Sequence, residues 1–152
     1  DAATFVASLP PGATQDNAAQ SVLSPWAYSD PAGAAAWAVS FPEGSVKNNG
    51  LRNAVSNWAN NDSHSAGEWL KTLPAGSGRE TAVSSYIDSI LYQQPETAVV
   101  RAQTLADEKH RQSQLEGIAR RWLDQDEPAA LQWMQQAPLS DSFKKQMLER
   151  RR

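Results

Sequence analysis

The chain has 152 residues, 40% of them apolar and six of them tryptophan, which is enough for the core of one domain of about 100–200 residues. A formal charge of -3 argues against a phosphate-binding surface as the main role, and the lack of cysteine excludes disulfides and thiol chemistry. No run approaches the roughly 18 apolar residues of a membrane helix, and no basic segment followed by an apolar one opens the chain, so neither nucleic-acid binding nor membrane insertion is expected.

The first element, Asp1 to Leu9, carries Ala2, Phe5, Val6 and Leu9 at helical spacing and stops at Pro10 and Gly12. A longer helix follows, in which Ala19, Val22, Leu23, Trp26 and Ala27 recur at i, i+3, i+4, i+7 and i+8, one broad stripe of a 3.6-residue period. Pro25 inside it should remove one backbone hydrogen bond and kink the axis. Asp30 before Pro31 reads as an N-cap with proline at the first helical position, opening a shorter helix whose inward stripe is Ala34, Trp37, Ala38 and Phe41. Pro42 then disfavours helical geometry in Phe41, and Gly44 supplies the turn.

The same two helices recur along the rest of the chain. From Ser45 the long helix shows Leu51, Ala54, Val55, Trp58 and Ala59, and Asp62 opens a short one with Ala66, Trp69, Leu70 and Leu73. Ser77 with Glu80 reads as a capping box before Val83, Tyr86, Ile87, Ile90 and Leu91, and Gln94 with Pro95 opens the next short helix. Leu115, Ile118, Ala119, Trp122 and Leu123 mark the last long helix of a full pair, Asp126 and Pro128 begin its short partner with Ala130 and Trp133, and Asp141 starts a terminal helix.

Trp26 to Trp58 and Trp37 to Trp69 are each separated by 32 residues, and the column Leu9, Phe41, Leu73, Leu105 and Ala137 keeps the same step without insertion. Ala2, Ala34, Ala66, Ala98 and Ala130 form another such column. A fixed period of this kind marks tandem units that cannot bury their apolar faces alone and therefore stack. The expected fold class is all-α, a right-handed α-α superhelix within one domain over 1–152: a half-unit at 1–12, units at 13–44, 45–76, 77–108 and 109–140, and a half-unit at 141–152. Half-units at both ends read as a piece of a longer array, with Ala2, Phe5, Val6 and Leu9 left on an exposed apolar end face. In the third unit Arg101 takes the tryptophan slot and must snorkel or pair with Asp107 or Glu108, which with Ala106 replace the Pro-x-Gly turn.

Across its whole length the chain resembles tetratricopeptide repeats and, more loosely, HEAT-type repeats. Trp26, Trp58 and Trp122 stand late in their helices, where the tetratricopeptide pattern has its tryptophan early, and a second ring, Trp37, follows eleven residues after Trp26. The Trp-x-x-x-Asp-Pro and Ala-x-x-Trp pattern is more similar to tandem helical repeats of uncharacterised bacterial proteins. That resemblance implies a fold and no activity.

Chemistry has few footholds. His64 and His110 lie in different units at non-equivalent positions, so a metal pair is not expected. No serine sits in a Gly-x-Ser-x-Gly elbow, and Gly76-Ser77-Gly78-Arg79 lacks the Gly-Lys-Ser/Thr ending of a phosphate loop and reads as a turn and helix cap. No catalytic, cofactor-binding or metal residue is therefore assigned. The register places the tryptophans in the core, where truncating a fully buried one such as Trp58 costs about 3–5 kcal/mol.

Function is expected on the positions that the register leaves outward. On the long helices these are Gln20, Arg52, Ser84 and Glu116 in one column, Ser24, Ser56, Asp88 and Arg120 in another, and Tyr28, Asn60, Tyr92 and Asp124 in a third. Tyr28, Arg52, Ser56, Asp88, Tyr92, Glu116 and Arg120 are the candidate partner-binding residues, a mixed-charge surface with two amphipathic rings suited to an extended peptide or a partner's helix. The expected role is a protein- or peptide-binding scaffold with no cofactor and no catalysis of its own. The alternative is a substrate-positioning or regulatory part of a larger bacterial enzyme.

Overall fold

A computed structural model describes residues 2–150, and all regular structure among them is helical, with no strand. In chain order the helices are α1 (Ala2–Ser8), α2 (Ala13–Ser29), α3 (Pro31–Val39), α4 (Ser45–Asn61), α5 (Ser63–Leu70), α6 (Ser77–Ile90), α7 (Pro95–Ala102), α8 (Glu108–Gln125), α9 (Glu127–Gln136) and α10 (Asp141–Glu149). The chain forms two compact units that divide in the last turn of α6, between Ser89 and Ile90. Within the first, α4 packs on both α2 and α3; within the second, α8 packs on α7 and α9.

A single residue joins α2 to α3, α4 to α5 and α8 to α9, whereas four residues separate α6 from α7. Asp30, Asp62 and Asp126 share nearly the same backbone angles, φ -148, -149 and -144 with ψ 80, 83 and 85. The N–H of each closes the helix before it on the carbonyl of Trp26, Trp58 or Trp122, at 2.8, 2.7 and 2.8 Å. Its carboxylate accepts the N–H of Gly33, Ser65 or Ala129 and so caps the helix after it. Ser65 bonds Asp62 through its hydroxyl as well, and these bonds hold the Asp62 carboxyl below its ordinary range. Gln94 keeps the backbone bond, to Ile90 at 2.7 Å, but its side chain makes no cap.

The long helices start in two ways. Gly12, Gly44 and Gly76 take φ of 146, 156 and 151, a region that a side chain makes strained, and α2, α4 and α6 begin directly after them. Where glycine is missing, Asp107 and Ser140 stand in extended geometry and their side chains accept from His110 and Phe143 N–H. Ser77 is thus the first residue of α6 and not its cap, which corrects the expected capping box. Its hydroxyl and the Gly78 N–H donate to the Glu43 carboxylate, while Glu80 N–H bonds Gly76. Lys47 reaches the same carboxylate at 3.0 Å. The Ser77 bond, then the Lys47 bond, then the Gly78 N–H lower the Glu43 pKa from 4.5 to about 2 against an opposing cost of burial.

The stripes expected on the long helices are buried in full at Val83, Tyr86, Ile87, Ile90 and Leu91 and at Leu115, Ile118, Ala119, Trp122 and Leu123. The Tyr86 hydroxyl finds the Ser63 carbonyl at 2.9 Å, satisfying the one polar atom of that buried ring. α2 is continuous through Pro25. At Gly50 an added Cβ would lie 2.7 Å from Leu23 Cδ1 and 2.9 Å from Ala38 Cβ, so α4 approaches α2 and α3 closer than any side chain there would allow.

The short helices differ from expectation. The buried residues of α3 and α5 are mostly small, Ala34, Ala35, Ala38, Ala66 and Gly67, with Leu70 the one large side chain among them, whereas Trp37, Trp69 and Phe41 are half-buried. Of the six tryptophans only Trp122, at 4% exposure, belongs to the core; Trp26, Trp58 and Trp133 are half-buried too. The rings pair across each aspartate instead: Trp26 with Trp37 at 5.8 Å, Trp58 with Trp69 at 5.6 Å, and Trp122 with Trp133 at 5.6 Å between centroids. Alanine permits the backbones to close, and a closed pair leaves the large rings at the margin of the contact. At the start of the chain Phe5 is 64% exposed, as expected of an end face, but Val6 is buried. The Gln15 amide donates to the Val6 and Leu9 carbonyls and so satisfies the end of α1. Arg101 is half-buried and its Nε is a buried atom without a hydrogen bond, while Asp107 is committed to capping α8.

Nothing lies within 4 Å of a Cβ built at Gly44, so the Gly44→Ala chain should lose about 1–3 kcal/mol through backbone strain alone, measured by denaturant unfolding. Trp122→Ala should cost about 3–5 kcal/mol and Trp58→Ala clearly less; equal losses would contradict the burial difference. Because the folded Glu43 pKa lies below its unfolded value, its contribution is complete above pH 4.5 and disappears as pH falls toward about 2. Melting temperatures taken across that window should fall less steeply for Glu43→Gln than for the parent, and the difference should shrink in high salt, since the carboxylate is half-exposed.

Candidate functional site

The outward columns of the long helices carry the candidate residues, and the two units hold them separately. In the first unit Tyr28, at 76% exposure, stands at the end of α2; Arg52 is exposed on α4 with Ser56 half-buried one turn on; Asp88 is exposed near the end of α6. Neither Tyr28 nor Arg52 has a side-chain partner among the described residues. The adjoining positions Leu51, Ala54 and Val55 are buried, so the boundary between core and outward face on α4 is one residue wide.

In the second unit Tyr92 follows α6 and is 61% exposed, with its carbonyl bonded by the Gln125 amide. Glu116 and Arg120 pair at 3.2 Å along α8, and the Arg120 guanidinium lies 4.9 Å from the centre of the Phe143 ring of α10. The ion pair orients Arg120 from one side and the ring from the other. Beside it is a cavity of about 410 Å³ lined by Arg120, Leu123, Asp124, Met147 and Arg150. It combines an apolar floor, Leu123 and Met147, with charges of both signs at its rim.

Sequence periodicity identifies Arg120 and Asp124 as outward but gives no hint of Phe143, Met147 or Arg150. Those residues come from a terminal helix about one period further on, and only packing brings them to α8. Glu43 is likewise unmarked in sequence. Its carboxylate sits where Ser77 and Gly78 would otherwise offer donors to an anion, so that glycine-rich turn already carries its own negative charge.

No three His, Asp or Glu side chains converge on a metal position among the described residues, and no described helix is long and apolar enough to cross a membrane. His64 is exposed and His110 half-buried in the first turn of α8. Compared with protein-family models, with curated proteins and with solved structures, the chain has no match.

Proposed function

We propose that the chain is a helical-repeat scaffold, an α-solenoid of 32-residue hairpins of the tetratricopeptide-like kind, that captures a protein or peptide partner on the outward columns of its long helices. It has no catalysis of its own in this reading. The observation that carries it is the cavity beside Arg120: an apolar floor with a pre-oriented guanidinium and an acid at its rim accepts a peptide side chain with little ordering cost. Exposed Tyr28 and Arg52 give the first unit residues of the types that dominate binding energies. The recurrent Asp caps at Asp30, Asp62 and Asp126 favour equivalent hairpins.

A displayed peptide library panned against the full chain tests this. Selected peptides should bind Tyr28→Ala/Arg52→Glu or Arg120→Glu at least about ten-fold more weakly at unchanged helicity, a loss of roughly 1.4 kcal/mol. Selection of no peptide, or equal affinity for both variants, would reject the assigned face.

A further inference from the structure

The three indole pairs differ in what surrounds them. Beside Trp37 the Ser40 hydroxyl donates to its own helix, to the Trp37 carbonyl at 2.6 Å; beside Trp69 the Thr72 hydroxyl does the same at 2.7 Å, and Glu68 is held by Lys71 at 2.6 Å. At Trp133 the corresponding positions are Gln132 and Gln136, both exposed and both without a hydrogen-bond partner among the described residues. Glu96 of α7 is exposed and equally uncommitted. These three side chains, with Ala129, Trp122 and Trp133, line a shallow cavity of about 300 Å³, the lower end of the range of small-ligand sites.

The chemistry of that rim narrows the ligand. Two primary amides supply donors and acceptors and the carboxylate supplies acceptors, a mixture that suits hydroxyl groups, each of which needs both. The aromatic floor is a stacked pair with planes 29° apart, so it offers a platform and not the walls of an ammonium cage. An anion would meet Glu96. A flat ring with one apolar C–H face and a border of hydroxyls fits all three features. We propose that this cavity binds a neutral pyranose unit, stacked on the half-buried Trp133 and held through its hydroxyls by Gln132, Gln136 and Glu96. The residues lie on α7, α8 and α9 and include none of the partner-binding set, so the assignment stands independently of the peptide scaffold.

Titration of the isotope-labelled full chain with maltotriose, cellotriose and tri-N-acetylchitotriose, followed by the indole N–H resonances, tests it. At least one trisaccharide should shift the Trp133 signal saturably. Gln132→Ala and Gln136→Ala, at exposed positions that leave the core untouched, should each weaken binding about ten-fold, as expected for one lost hydrogen bond. Trp133→Ala should abolish binding, Trp69→Ala should leave it unchanged, and Glu96→Gln should retain it because an amide oxygen still accepts. No saturable shift with any of the three up to about 10 mM, ten times a weak Kd of about 1 mM, would overturn the assignment. So would saturable binding of choline that Glu96→Gln destroys, which indicates a cation site, or displacement of the sugar signal by an oligoproline peptide at lower concentration, which indicates a peptide site.

Discussion

Much of the architecture depends on what a single aspartate does between two helices. Its N–H ends the first on a tryptophan carbonyl and its carboxylate starts the second on a backbone N–H three residues on, so no free linker residue remains to vary the angle. With the junction fixed, rings eleven positions apart meet at nearly the same distance each time. The converse is seen once. Gln94 makes no side-chain cap, and the flanking ring positions there are Ile90 and Arg101. Cap and ring pair are present together or absent together, as expected if each is useful only when the other sets its geometry.

Beneath the rings, small residues determine how closely helices approach. Ala34, Ala35 and Ala38 are fully buried on α3, which packs on α2 and α4, and Gly50 leaves no room for even a methyl group. Interiors of this kind gain from contact between backbones as much as from large side chains, and they tolerate added volume poorly. Except for the buried Trp122, the tryptophans then shield the edges of these contacts from water while remaining half in it.

The all-helical class, the junction aspartates and the buried stripes of α6 and α8 are legible in the sequence because each depends on residues within two turns of one another. Local patterns fail where hydrophobicity is taken for depth: Trp37 and Ala34 lie on the same side of α3, but the small one enters and the large one stays at the margin. Contacts between distant segments leave no local trace at all. Glu43 with Ser77, Arg120 with Phe143, and Glu96 with the Trp122–Trp133 pair each join residues more than twenty positions apart. The two outward columns containing Arg52 and Arg120 could be named from register, whereas the α10 residues that shape a cavity around Arg120 could not.

Paired indoles at contact distance also couple their electronic transitions. Three such pairs in one small helical chain should superimpose an exciton couplet on the far-ultraviolet circular dichroism of the helices. Ellipticity in that region therefore reports ring geometry as well as backbone content, and a variant that merely rotates one indole can look spectroscopically like one that has lost helix.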